Sequence, residues 1–421
     1  MPPGRARGWR RAAIRLLGLV ARPARRAQGA EGVVVEPYRG YGSREEIFLI
    51  GRVFRQSHAA PEADPDDLRA HLRDIGRRIR RRKLAGAAIT ARFGGSTVRV
   101  ATDRDGYFRV HLRPRERPDG AAAWHPVALT LDTDPPVAAQ ARVFIPPDRC
   151  RFVVISDIDD TVMHTGVANR LTMLWRLFVA DAQSRVAFPG AAALYRALHD
   201  GAAGAEQNPM LYVSRAPWGI YDMLTEFFRL HGIPIGPVLF LREWGLSWRH
   251  PLPRRAEDHK RELIDRMLAL YRDLPFVLIG DSGQHDPEVY AAIVGAHPGR
   301  VLAVYIRNVS PDPGRASEIE RLAVTVAAAG SSLVLAADSR AMAEHAAGLG
   351  LVAPETVTAV AAEQAASAAP ATASPRARRI AAPTPEATVA SIEEGELKQA
   401  LGEAVPNVVV EPDDRGGRPG S

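Results

Sequence analysis

Six apolar runs decide what this chain can fold into. FVVIS (152–156), MLYVS (210–214), PVLFL (237–241), FVLIG (276–280), VLAVYI (301–306) and SLVLAA (332–337) are strand-length and almost free of polar residues. A strand that is apolar on both faces must be covered on both, which is the condition of a parallel sheet. GAAALYRALHDGA, GIYDMLTEFFRLHG, HKRELIDRMLALYRD and DPEVYAAIVGAHPG lie between them with helical periodicity and supply the cover. Residues 149–352 are therefore expected to form an α/β domain with a parallel sheet, closed by a helix in ADSRAMAEHAAGLGLV.

The preceding segment, 44–148, has a different texture. EEIFLIGRVF, AAITARFGG, STVRVATD, GYFRVHL, HPVALTL and ARVFIP are short β-branched or aromatic runs separated by turn residues, and Asp105-Gly106 is a strong turn signal. The expectation is a small β-sandwich-like domain. It carries one helical insertion, DDLRAHLRDIGRRIRRRK, with Leu68, Leu72, Ile75 and Ile79 on one side and Arg69, Arg73, Arg77, Arg80 and Arg81 on the other. That arginine face is either simply solvated or a patch for an anionic surface.

Residues 1–43 read as a basic leader. Trp9, Ala13, Leu16, Leu17 and Val20 share one side of a helix and Arg11, Arg15 and Arg22 the other, the pattern of an interfacial amphipathic helix. A plain basic leader is the alternative. Arg15 interrupts the apolar run, which argues against a signal peptide, and no stretch approaches the roughly 20 apolar residues of a membrane span. Residues 353–421 are dominated by Ala, Pro, Thr, Ser and Glu and are expected to be a disordered tail. A net charge of +7 and a pI near 9.8 favour acidic partners. The single cysteine, Cys150, fits a reducing compartment, and Ser156 stands where a thiol phosphatase would need arginine.

In an open parallel sheet, ligands bind at the carboxyl ends of the strands. Here the first run ends in Asp157-Ile-Asp159-Asp160-Thr161, the second in Ser214 and the fourth in Asp281, and Lys260 precedes the fourth. Several carboxylates in a small volume are tolerable around a hard cation, which implies Mg²⁺. A carboxylate can attack phosphorus, a second can move the proton, and a hydroxyl and an ammonium can hold the phosphoryl oxygens. The set points to phosphoryl transfer.

ISDIDDTVMHTG, YVSRAPWGIYDML and LIGDSGQHDPEVY resemble the haloacid-dehalogenase (HAD) superfamily, and more narrowly the phosphatidate phosphatase catalytic-domain family of the yeast actin-patch type with its bacterial homologues, related to the lipins. The likeness covers roughly 150–350, with the β-rich segment similar to the amino-terminal part of the bacterial members. It implies a Rossmann-like, HAD-like sheet with a small helical cap, and an Mg²⁺-dependent phosphomonoesterase that releases diacylglycerol from phosphatidate through an aspartyl-phosphate. By position, Asp157 would be nucleophile and metal ligand. Asp159 would be general acid/base, giving its backbone carbonyl to the metal. Thr161, Ser214 and Arg215 would bind substrate, Lys260 would clamp nucleophile and phosphoryl group, and Asp281 and Asp286 would complete the metal site. Asp160 receives no separate role. The family pattern has a small or amide residue where Arg215 stands, so Arg215 either grips a substrate phosphate or is a surface arginine.

The implied partners are a lipid phosphate and an anionic membrane surface, bound peripherally from the cytoplasm. Without stacking aromatics among the arginines, no nucleic acid is expected, and no obligate protein partner is evident. Two other functions share much of the pattern. One is a phosphatase of soluble sugar or nucleotide phosphates. The other is a non-catalytic phosphatidate-binding module, against which the presence of Asp159 argues. Residues 168–187, with Met173, Leu174, Trp175, Leu177 and Phe178, would pack in the core or form an apolar lip for acyl chains, and Trp244 and Trp248 raise the same choice. His285 would either orient Asp281 or bond to backbone.

Overall fold

The computed structural model describes residues 27–28, 32–55, 82–157, 189–214, 221–240, 256–310 and 312–368. Residues 1–26 of the basic leader, all of the arginine-faced insertion up to residue 81, the expected cap, Trp244, Trp248 and the Ala/Pro-rich segment after 368 lie outside the described residues. All described residues belong to one of the chain's two compact units, Pro23–His58 with Arg82–Thr372.

The amino-terminal half of this unit is a single connected sheet. Its strands are β1 (Ala27–Gln28), β2 (Val33–Pro37), β3 (Gly40–Gly42), β4 (Ile47–Arg55), β5 (Arg82–Lys83), β6 (Ala88–Phe93), β7 (Ser96–Ala101), β8 (Tyr107–Leu112), β9 (Trp124–Leu131) and β10 (Val137–Phe144). Alternation sets the faces: along β9, His125, Val127, Leu129 and Leu131 turn inward while Pro126 and Ala128 are exposed. The inward residues of β2, β4, β6, β8, β9 and β10 meet in one apolar core. The Asp105-Gly106 turn forms as its residues require, with Gly106 at φ +80° and Asp103 Oδ1 accepting from Asp105 N and Tyr107 N. It does not close a hairpin, because β7 pairs with β6 whereas β8 pairs with β4. Strands also begin earlier than residue 44, since VVVEP and GYG form β2 and β3.

The second half follows the expected alternation. The six runs become β11 (Val153–Asp157), β12 (Met210–Ser214), β13 (Val238–Phe240), β14 (Phe276–Asp281), β15 (Val301–Arg307) and β16 (Ser332–Ala336), all paired in parallel. Their order is β13-β12-β11-β14-β15-β16. The chain starts in the middle, works outward through β12 and β13, and returns to the other side of β11. The crevice between β11 and β14 is thus the switch point where such sheets bind ligands.

Helices α1 (Ala191–Asp200), α2 (Tyr221–Leu230), α3 (Ala256–Leu270), α4 (Asp286–Ala296), α5 (Pro313–Ala328), α6 (Ser339–Gly348) and α7 (Glu355–Ala368) cover the sheet. Residues of α1, α2, α6 and α7 share one apolar cluster with Val154, Tyr212, Val277, Ile279 and Tyr305. Residues of α3, α4 and α5 share the other with Val153, Ile155, Leu278, Val304 and Ile306. Helix α7 corrects the expectation of a tail from 353: Val360 is fully buried and Val357 packs on the same core.

The two sheets are joined by packing. Tyr38, Ile50 and Tyr107 belong to one α/β cluster and Tyr41 to the other. The ring of Tyr38 lies 4.5 Å from that of Tyr221 at the start of α2, and Tyr221 Oη accepts from Arg39 N at 2.9 Å. The β-rich half therefore braces the helix that follows Ser214. Tyr221→Phe is expected to lower the unfolding free energy by about 1 kcal/mol, and Tyr221→Ala by about 3 kcal/mol or more. Urea titration of the full chain checks this, and two equal melts would show that the junction carries no stability.

Candidate active site

Four strand and helix ends bring charge to one edge of the sheet. Asp157 ends β11 and Asp281 ends the neighbouring β14, so both stand over the switch point. Ser214, fully buried, ends β12 on the other side of β11. Asp286 opens α4, where the helix dipole favours a carboxylate. Lys260 rises from the second turn of α3, with 1% of its side chain exposed.

Lys260 is the hub. Its Nζ lies 3.1 Å from Asp157 Oδ2 and also donates to Asp286 Oδ1. The aromatic face of Tyr290 lies 5.9 Å away. Burial alone would push the ammonium toward neutrality, but Asp157 and Asp286 hold its pKa above the ordinary lysine value. It stays charged at neutral pH. Asp281 responds oppositely: burial and the neighbouring Asp286 raise its pKa, against a bond of 2.8 Å from Gly283 N.

One oxygen each of Asp157, Asp281 and Asp286 can lie within 4.8 Å of the others. Three hard donors at that spacing fit a divalent cation of the Mg²⁺ type, which takes carboxylate oxygen. The close approach of Asp286 to β14 depends on Gly280. A Cβ there would overlap Asp286 Oδ2 and come within 2.8 Å of its Cβ, so only glycine leaves room for the carboxylate to accept from Asp281 N at 3.3 Å.

The loop between the two acids is held from outside. Arg315 Nε donates to Ser282 O at 3.1 Å and Nη2 to Gln284 O at 2.6 Å, while the same guanidinium forks onto both oxygens of Glu288. Ser282 Oγ accepts from Val309 N and Ser310 N at 2.9 and 3.0 Å. Behind β11, Ser156 Oγ and Tyr195 Oη are 2.7 Å apart.

Among the sequence-derived candidates, the structure brings Asp157, Lys260, Asp281 and Asp286 together. It puts Ser214 at the same sheet edge. Asp159, Asp160, Thr161 and Arg215 lie outside the described residues. His285 Nε2 lies 3.3 Å from Glu257 Oε1. Cys150 is a buried free thiol with its pKa pushed up to about 12 by burial, unsuited to thiolate chemistry. Sequence reading missed Arg315, Gly280 and Tyr195. Only Gly280, inside LIGDSGQHDPE, carried a local signal.

Residues 152–308 match the family model described as the phosphatidate phosphatase APP1 catalytic domain. This is the family that the three motifs resembled. The matched stretch contains Asp157, Ser214, Lys260, Asp281 and Asp286. The chain is 32% identical over 191 residues to phosphatidate phosphatase APP1 of Saccharomyces cerevisiae, covering 44% of this chain and 31% of that protein. It is 27% identical over 165 residues to the uncharacterised protein C29B5.04c of Schizosaccharomyces pombe, covering 39% of this chain and 26% of that one. It thus spans between a quarter and a third of these relatives' lengths. Its overlap with a solved carbohydrate acetylesterase of Xanthomonas citri, XAC1771, has a TM-score of 0.25 at 14% identity over 71% of this chain and 66% of that one, and carries no argument.

Removing the hub tests the electrostatics. Lys260→Met leaves two buried carboxylates without their ammonium and is expected to lower stability by about 3–5 kcal/mol. Chemical denaturation reads this directly, and a loss below about 1 kcal/mol would mean that Lys260 does not hold the site together.

Proposed function

We propose that this chain is a phosphatidate phosphatase-like phosphoric monoester hydrolase, acting through an aspartyl-phosphate on Asp157. The observation that carries the reading is Lys260 seated between Asp157 and Asp286, with Asp281 in reach, inside the stretch that matches a phosphatidate phosphatase catalytic domain. The strand order and the position of these acids support a Rossmann-like, HAD-like domain, which we take as 149–352 extended by α7. The common core of β2, β4, β6, β8, β9 and β10 supports a sandwich-like domain before it.

In this reading Asp157 attacks phosphorus and the glycerol oxygen leaves with a proton from Asp159. Water, deprotonated by Asp159, then attacks phosphorus and frees Asp157, giving diacylglycerol and inorganic phosphate. Lys260 holds the Asp157 carboxylate in place for attack. Ser214, with Thr161 and Arg215, would bind the phosphoryl oxygens. Asp157, Asp281, Asp286 and the Asp159 carbonyl would hold Mg²⁺, which offsets charge on the phosphoryl group when bound. Among the described residues no helix is long and apolar enough to cross a membrane. A lipid substrate would then be met by peripheral binding to an anionic cytoplasmic surface.

The test is phosphate release by the purified full chain from phosphatidate in mixed micelles and from sugar and nucleotide monoesters, with Mg²⁺ or with chelator. Release from phosphatidate is expected with Mg²⁺ only, and Asp157→Asn should cut it by at least about a thousandfold. Sedimentation with phosphatidate-containing vesicles should accompany it. Hydrolysis confined to soluble monoesters would replace the lipid assignment, and vesicle binding without hydrolysis would make the chain a binding module.

A further inference from the structure

Among the described residues, the cation in contact with the site's carboxylates, Lys260, comes from one layer of helices. Lys260 comes from α3, on the side of the sheet shared with α4 and α5. On the opposite side, at the same sheet edge, stands an arginine that none of the motif roles uses. Arg307 is the last residue of β15, in register with Asp281 on β14 and Ala336 on β16. Its Nη2 donates to Ser339 Oγ at 2.8 Å, at the start of α6. Ser339 is fully buried. Burial works against the guanidinium's charge, while Tyr195 and Asp338 favour it. Tyr195 connects this side to the reaction centre, since its hydroxyl meets Ser156 Oγ, next to Asp157.

Charge balance gives the arginine a purpose. Among the described residues, Asp157, Asp281 and Asp286 outnumber Lys260 by two at this edge, which suits one divalent cation. A phosphate monoester brings nearly two more. A guanidinium at this sheet edge offsets part of that charge, and its fork matches two phosphoryl oxygens at once.

We propose that Arg307 is a substrate-binding residue that grips the phosphoryl group from the helix layer opposite Lys260. The inference rests on the phosphomonoesterase reading, but inorganic phosphate serves as a probe that needs no turnover. Phosphate binding to the full chain in Mg²⁺ is measured by calorimetry for wild type, Arg307→Ala, Arg307→Lys and Ser339→Ala, each with a melting curve.

Arg307→Ala is expected to weaken phosphate binding at least about tenfold, and Arg307→Lys to weaken it less, because charge survives without the fork. Ser339→Ala should lower the melting temperature and leave phosphate affinity within about twofold. In turnover, Arg307→Ala should raise KM more than it lowers kcat. Equal phosphate affinity in wild type and Arg307→Lys or Arg307→Ala would overturn the inference. If Arg307→Ala fails to fold, unchanged affinity in Arg307→Lys alone would overturn it. Phosphate binding that depends on Arg307 in a chain that hydrolyses no monoester would instead sink the phosphatase reading and keep this one.

Discussion

The ammonium of Lys260, buried between Asp157 and Asp286, is the interaction on which the rest of the site depends. Two carboxylates taken out of water that close together would repel and protonate, and a lone buried lysine would lose its proton. Together they offset one another, and the lysine keeps its proton. The arrangement then constrains the fold around it. Asp157 must end the central strand, Asp286 must open a helix, and α3 must lie against both. Gly280 must lack a side chain so that Asp286 can reach over β14. Arg315 braces the loop that joins Asp281 to Asp286 by binding its carbonyls and Glu288.

Much of this was legible because the physics is local. Runs such as FVVIS and FVLIG are apolar on both faces, and only a covered parallel sheet accepts such strands. Acids at the ends of those runs follow from where such sheets bind ligands. What escaped was of two kinds. Helices α5 and α7 are weakly patterned: PGRASEIERLAVTVAA exposes most of its length, and ETVTAVAAEQAASA is rich in alanine and hides a narrow contact through Val357 and Val360. Long-range partners also leave no mark on sequence. Nothing near Arg315 or Arg307 reveals that one clamps a loop about thirty positions earlier and the other shares a sheet edge with Asp281. The early strands β2 and β3 were folded into the basic leader because VVVEPYRGYG is short and broken by Pro37 and Gly40.

Chemistry and substrate are supported unequally. The carboxylate cluster and its lysine constrain the reaction class through charge and geometry. The leaving group is constrained mainly by likeness that covers less than half of this chain and less than a third of its named relatives. Arg307 bears on the part all monoesters share, the phosphoryl group, and so is independent of what the phosphate is attached to.

The central claim is that Asp157 becomes phosphorylated, and trapping that intermediate tests it most directly. Full-length protein is mixed with phosphatidate and Mg²⁺, quenched in acid during turnover and reduced with borohydride, which converts an acyl-phosphorylated aspartate to homoserine. Peptide mass spectrometry is expected to find the reduced residue at position 157, only when substrate is present. Reduction at position 281 or 286, or none at any aspartate during sustained phosphate release, would contradict the account.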